Sequence, residues 1–99
     1  MKSYLLTAVQ DSEAARAELT KLLPGQTEPW LLINPKGSDP VAYFNVDVPR
    51  SFDELEGPFI VQADISGRHY NEDQMVIGVL RALRGRIGGV VRDDDDNVV

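Results

Sequence analysis

The sequence predicts an α+β domain: an antiparallel sheet of four or five strands with two helices on one face. Three observations carry that expectation. Val41–Val48 and Phe59–Ser66 alternate apolar and polar residues with a period of two, as strands with one wet face do. The stretches after Asp11 and after Asn71 instead repeat apolar residues at helical spacing. Glycines and prolines punctuate the segments, and no apolar run approaches the roughly 20 residues of a membrane-spanning helix.

The elements follow in chain order. Ser3–Gln10, "SYLLTAVQ", is apolar enough for a strand buried on both faces. Asp11 and Ser12 then cap a helix that runs to about Leu23, with Ala15, Leu19, Leu22 and Leu23 on one face. Glu13 with Arg16, and Glu18 with Lys21, are neighbours on its opposite side. Pro24 disfavours helical geometry at Leu23, and Gly25 completes the stop. Trp30–Asn34 reads as a short strand and Pro35–Pro40 as a turn.

In the next strand Ala42, Phe44, Val46 and Val48 share one side, with Val41, Tyr43, Asn45 and Asp47 on the other. Ser51 and Glu54 have capping-box spacing, which predicts a helical turn over Phe52–Glu56 before Gly57-Pro58. The following strand places Phe59, Val61, Ala63 and Ile65 together. Asn71 and Gln74 repeat the capping-box signature and open a second helix reaching Arg84 or Ile87, stopped by Gly85, Gly88 or Gly89. "GVVR" makes a last strand. This order of elements resembles the ferredoxin-like plait with one added or split strand in the middle. The likeness is of element order alone, and that fold hosts many unrelated functions, so it implies no activity.

Composition narrows the function classes. The 99 residues suit one domain, residues 1–99, with 42% hydrophobic and 26% charged side chains. The absence of cysteine excludes disulfides, thiolate metal sites and cysteine nucleophiles, and fits an intracellular, cytoplasmic protein. The apolar patch near Met1 is too short for a signal peptide. A net charge of −6 argues against nucleic-acid or anionic-membrane partners, both of which need a cationic face. The charge is nonetheless uneven: Arg81, Arg84, Arg86 and Arg92 follow Gln74 with no acid among them, and Asp93–Asp96 come next.

Three features are candidate sites. Asp93–Asp96 lack the glycine and the late glutamate of a calcium loop, and alternate aspartates of a strand point apart, so a polar turn or a flexible acidic tail over residues 93–99 is expected rather than a metal site. Pairing of these acids with the neighbouring arginines is an intermediate expectation.

The strand-to-helix stretch holding Asp64, Ser66, Arg68, His69, Tyr70 and Asn71 is the best place for a ligand. A helix start offers free N–H groups, His69 is the sole histidine, an aspartate could orient it as a base, and Arg68 could clamp an anion. Against catalysis stand simpler roles: capping for Asn71, turn geometry for Gly67, and solvation for a lone loop histidine. No nucleophile elbow, phosphate loop or zinc-helix motif is present.

The third feature lies on the second helix, where Gly78, Ala82, Gly85 and, past the helix end, Gly89 form a narrow stripe away from the apolar face. Either another backbone approaches there, from the first helix or from a second subunit, or the glycines are merely tolerated. Arg81 and Arg84 beside it suit an acidic partner. Trp30, Tyr43 and Phe44 read as core and sheet-face residues rather than a stacking platform.

The expected role is therefore a small binding or regulatory module that works through a protein partner or as a homodimer, without cofactor. The alternative is a small-molecule-binding protein or enzyme that uses the Asp64–Asn71 loop.

Overall fold

A computed structural model describes residues 2–24, 30–33, 40–48, 58–66, 72–93, 95 and 97–99. In chain order they form β1 (Lys2–Val9), α1 (Ser12–Leu22), β2 (Trp30–Ile33), β3 (Pro40–Asp47), β4 (Phe59–Ile65), α2 (Asp73–Ile87) and β5 (Val90–Asp93). The predicted turns at Pro35–Pro40 and Phe52–Glu56 fall outside the described residues, Pro40 apart.

The five strands make one sheet in the order β2-β3-β4-β1-β5, with every neighbouring pair antiparallel. This is not the plain ferredoxin-like order, which has two strands between its helices: β2, β3 and β4 all lie between α1 and α2, the three strands that the sequence placed there. Trp30–Ile33 is an independent strand that pairs with β3 and extends the sheet to a fifth member.

The register explains the core. One row across four strands runs Trp30, Phe44, Ala63, Tyr4, and the next runs Val46, Val61, Leu6, Val91. All eight are buried, with bulky Phe44 opposite small Ala63. Into the same cluster α1 sends Ala15 and Leu19, and α2 sends Val76, Ile77, Leu80 and Leu83. Each fully buried Leu or Val side chain contributes about 1.5–3 kcal/mol by leaving water. Trp30 ties its strand to α1: its indole N–H donates to the Thr20 hydroxyl at 3.2 Å.

Local chemistry sets the ends of α1. The Asp11 carboxylate accepts from the N–H groups of Glu13 and Ala14, and the pairs Glu13–Arg16 and Glu18–Lys21 lie along the helix. At α2 the outcome differs from the expectation. Glu72 holds the N-cap position, with no side-chain cap bond there, and Asn71 lies outside the described residues. Val48 also departs from its predicted side: β3 ends at Asp47, and Val48 is exposed.

β1 is not evenly buried. Ala8 has φ +60° and the register with β4 shifts between Leu6 and Val9, which marks a bulge. The bulge fits the start of β5. Gly88 and Gly89 have φ +80° and +112°, and a Cβ at Gly89 would lie 2.6 Å from the Thr7 carbonyl oxygen. Thr7 is itself buried, and its hydroxyl donates to the Val90 carbonyl.

Candidate functional site

The predicted ligand loop joins the end of β4 to the start of α2, and Arg68, His69, Tyr70 and Asn71 lie outside the described residues. Asp64 and Ser66 are described. Asp64 sits between Tyr43 of β3 and Ser3 of β1, on the sheet face opposite Phe44 and Ala63. It is half-buried, and its Oδ1 accepts from the Ser3 hydroxyl at 2.6 Å and the Gln62 amide at 2.9 Å. The Ser66 N–H donates to the Val41 carbonyl, which fixes the exit of β4 against β3.

On the helix side, Asp73 opens α2 and its Oδ2 accepts from Lys2 Nζ and from the Tyr4 hydroxyl, each at 3.0 Å. The Lys2 ammonium also lies 5.8 Å from the Tyr4 ring centroid. The hydrogen bond from Lys2, and then that from Tyr4, hold the Asp73 carboxyl below its ordinary value. The same bond raises Lys2, while burial, followed by the Asp73 bond, pushes the Tyr4 phenol up. The first three described residues of β1 therefore alternate between two tasks. Lys2 and Tyr4 hold the helix start, and Ser3 holds Asp64 at the strand end.

This arrangement has a chemical consequence. Among the described residues the cation beside the N-terminus of α2 is Lys2, and it is matched with Asp73 as a neutralised pair. Sequence reasoning missed Lys2, Ser3, Tyr4 and Gln62. The period-two order Lys-Ser-Tyr was visible, but the register that sets Ser3 opposite Asp64 depends on residues about sixty positions away, and no local pattern encodes it.

The outer side of α2 is open. Gly78, Arg81, Ala82, Arg84 and Gly85 are all exposed, and a Cβ built at Gly78 or Gly85 has nothing within 4 Å. That removes one explanation offered for the stripe, because α1 does not approach it. The helices meet elsewhere: Arg86 reaches across to Glu18 at 2.9 Å, and Glu18 also accepts from Lys21. Arg86 is thus engaged with α1 through Glu18. Among the acids of the Asp93–Asp96 run, Asp93 Oδ1 accepts from the N–H groups of Asp95 and Asn97, while Asp94 and Asp96 lie outside the described residues.

Among the described residues no three acidic or histidine side chains converge as metal ligands, and no helix is long and apolar enough to cross a membrane. Compared with known proteins, the chain matches no family model, and no curated protein or solved structure matches it.

Proposed function

We propose that the chain is a small intracellular binding module that works through protein contact on the outer side of α2. The observation that carries this reading is the open stripe of Gly78, Ala82 and Gly85 with exposed Arg81 and Arg84 beside it. Glycine at an exposed helix-interior position costs about 1 kcal/mol against alanine, and no described residue lies close enough to recover that cost at Gly78. A partner backbone lying along the stripe would give the small residues a purpose. The arginines favour an acidic partner, and arginine is a frequent anchor of protein interfaces.

The test is the double reversal Arg81→Glu/Arg84→Glu, used as bait beside the unmodified chain in extracts of the native cells. Proteins retained by the unmodified chain in low salt should be lost from the variant, with unfolding midpoints unchanged. An identical set on both baits overturns the reading. Dimerisation is scored in parallel by sedimentation of the two purified chains.

A second reading, ligand binding at the Asp64–Asn71 loop, is favoured by one observation: β1 pins both ends of that loop through Asp64 and Asp73. It predicts that Arg68→Ala/His69→Ala loses a small anionic ligand from a metabolite panel while the α2 variant keeps it.

A further inference from the structure

The outer edge of β5 is not bare. Beyond the Asp93 turn the chain doubles back, and residues 97–99 lie along that edge as a short antiparallel strap. The Asp93 N–H donates to the Asn97 carbonyl at 2.9 Å, the Val99 N–H donates to the Val91 carbonyl at 3.0 Å, and Arg92 pairs with Val98 between them. The side chains alternate as a strand requires. Val99 packs against the core cluster, and Val98 is 65% exposed.

From this we infer that the β5 edge is a strand-addition site whose resident occupant is the chain's own strap, and that a partner segment of similar chemistry displaces it. Two features make the strap replaceable. Among the described residues it is held by two backbone hydrogen bonds, the Asn97 N–H bond to the Asp93 carboxylate and one half-buried valine, fewer contacts than any inner strand has, so it belongs to the least stable part of the sheet. Its pairing with the edge is also short, a single bridge between Arg92 and Val98 among the described residues. The edge under it is competent: β5 is anchored through β1, with Val91 fully buried, and its outward backbone groups already accept an antiparallel segment.

The strap also specifies the partner. It is an extended protein segment with a β-branched residue in the place of Val99, pointing to the core, and Asn or Asp two positions earlier. Main-chain bonds supply affinity and that one inward side chain supplies selectivity, as in other cases of strand addition. The site is separate from the outer side of α2, so either can fail without the other.

The experiment uses the full chain and a labelled synthetic peptide of residues 93–99, Asp-Asp-Asp-Asp-Asn-Val-Val, with a control in which the last valine is aspartate. Val99→Pro removes the donor to Val91 and releases the strap. Apparent affinity scales with the fraction of molecules whose edge is open, so the peptide should bind the variant about tenfold or more tighter than the unmodified chain. The control peptide should bind neither.

Asn97→Pro, which removes a donor to the Asp93 carboxylate but keeps Val99, serves if the first variant does not fold. A third readout needs no substitution: millimolar peptide added to the unmodified chain should move the Val98 and Val99 methyl resonances toward unstructured positions. Equal binding to the released and unmodified chains, or no binding together with unmoved valine resonances, overturns the inference.

Discussion

A methyl group added at Gly89 would lie 2.6 Å from the Thr7 carbonyl oxygen and 2.9 Å from a Leu6 side-chain carbon, on a backbone with φ +112°. The same group at Gly78 meets open space. Gly89→Ala should therefore cost about 2–4 kcal/mol, from backbone strain and from a clash with main chain that cannot move aside. Gly78→Ala should stabilise the fold by about 0.5–1 kcal/mol. Urea midpoints of the two variants give both signs at once, and equal shifts would contradict the bulge-and-glycine fit between β1 and β5.

A second residue-scale expectation concerns pH. Asp73 is held below its ordinary value, so its contribution to stability is present above about pH 4 and is lost as pH falls through its lowered value. Lys2 and Tyr4 are both raised, so theirs is present below about pH 10 and is lost above it. Asp73→Asn should flatten part of the acid limb and lower stability at neutral pH. Acid limbs that run parallel in variant and unmodified chain would contradict a stabilising role for the Lys2–Asp73 and Tyr4–Asp73 contacts.

At the scale of elements, what could be read in advance follows from the range of the interactions. The start of α1 was legible because Asp11 caps residues two and three positions ahead, and β3 and β4 because their alternation is local. Spacing alone puts Val76, Val79, Leu80, Leu83 and Ile87 of α2 on one apolar face; Val76, Leu80 and Leu83 are buried, Val79 and Ile87 pack half-buried against the core, and Ile77 is the addition. The bulge at Ala8 was not legible, since it lies where β1 meets β4 and Gly89, partners fifty or more residues on. The place of β2 was likewise hidden: its four residues are a strand because β3 offers an edge and Thr20 receives the Trp30 indole.

The candidate loop divides in the same way. Asp64 and Ser66 sit where the strand pattern put them, but Lys2, Ser3 and Tyr4 enter only through sheet register. On α2, charge and exposure agree with the proposed interface. Reversing Arg81 and Arg84 touches no described intramolecular contact, so their variant should report on partners rather than on folding.

Across the whole molecule the central claim is that both helices and all five strands share one hydrophobic core. Leu19 of α1 and Leu83 of α2 are fully buried in the same cluster as Trp30, Phe44 and Val91. A chain of net charge −6 gains nothing from distant charge pairs in ordinary salt, so this shared packing is what keeps its elements together. The sole tryptophan, Trp30, lies on β2 at the sheet edge farthest from β5, whereas Leu83 lies on α2, whose contacts run to β1, β4 and β5.

That geometry permits a direct test, the urea unfolding of Leu83→Ala followed together by Trp30 emission and far-ultraviolet circular dichroism. The substitution should cost about 2–5 kcal/mol, and both signals should shift to the same lower midpoint in a single transition. A Trp30 transition that stays where the unmodified chain has it, while the dichroism midpoint falls, would show two cores and contradict the account.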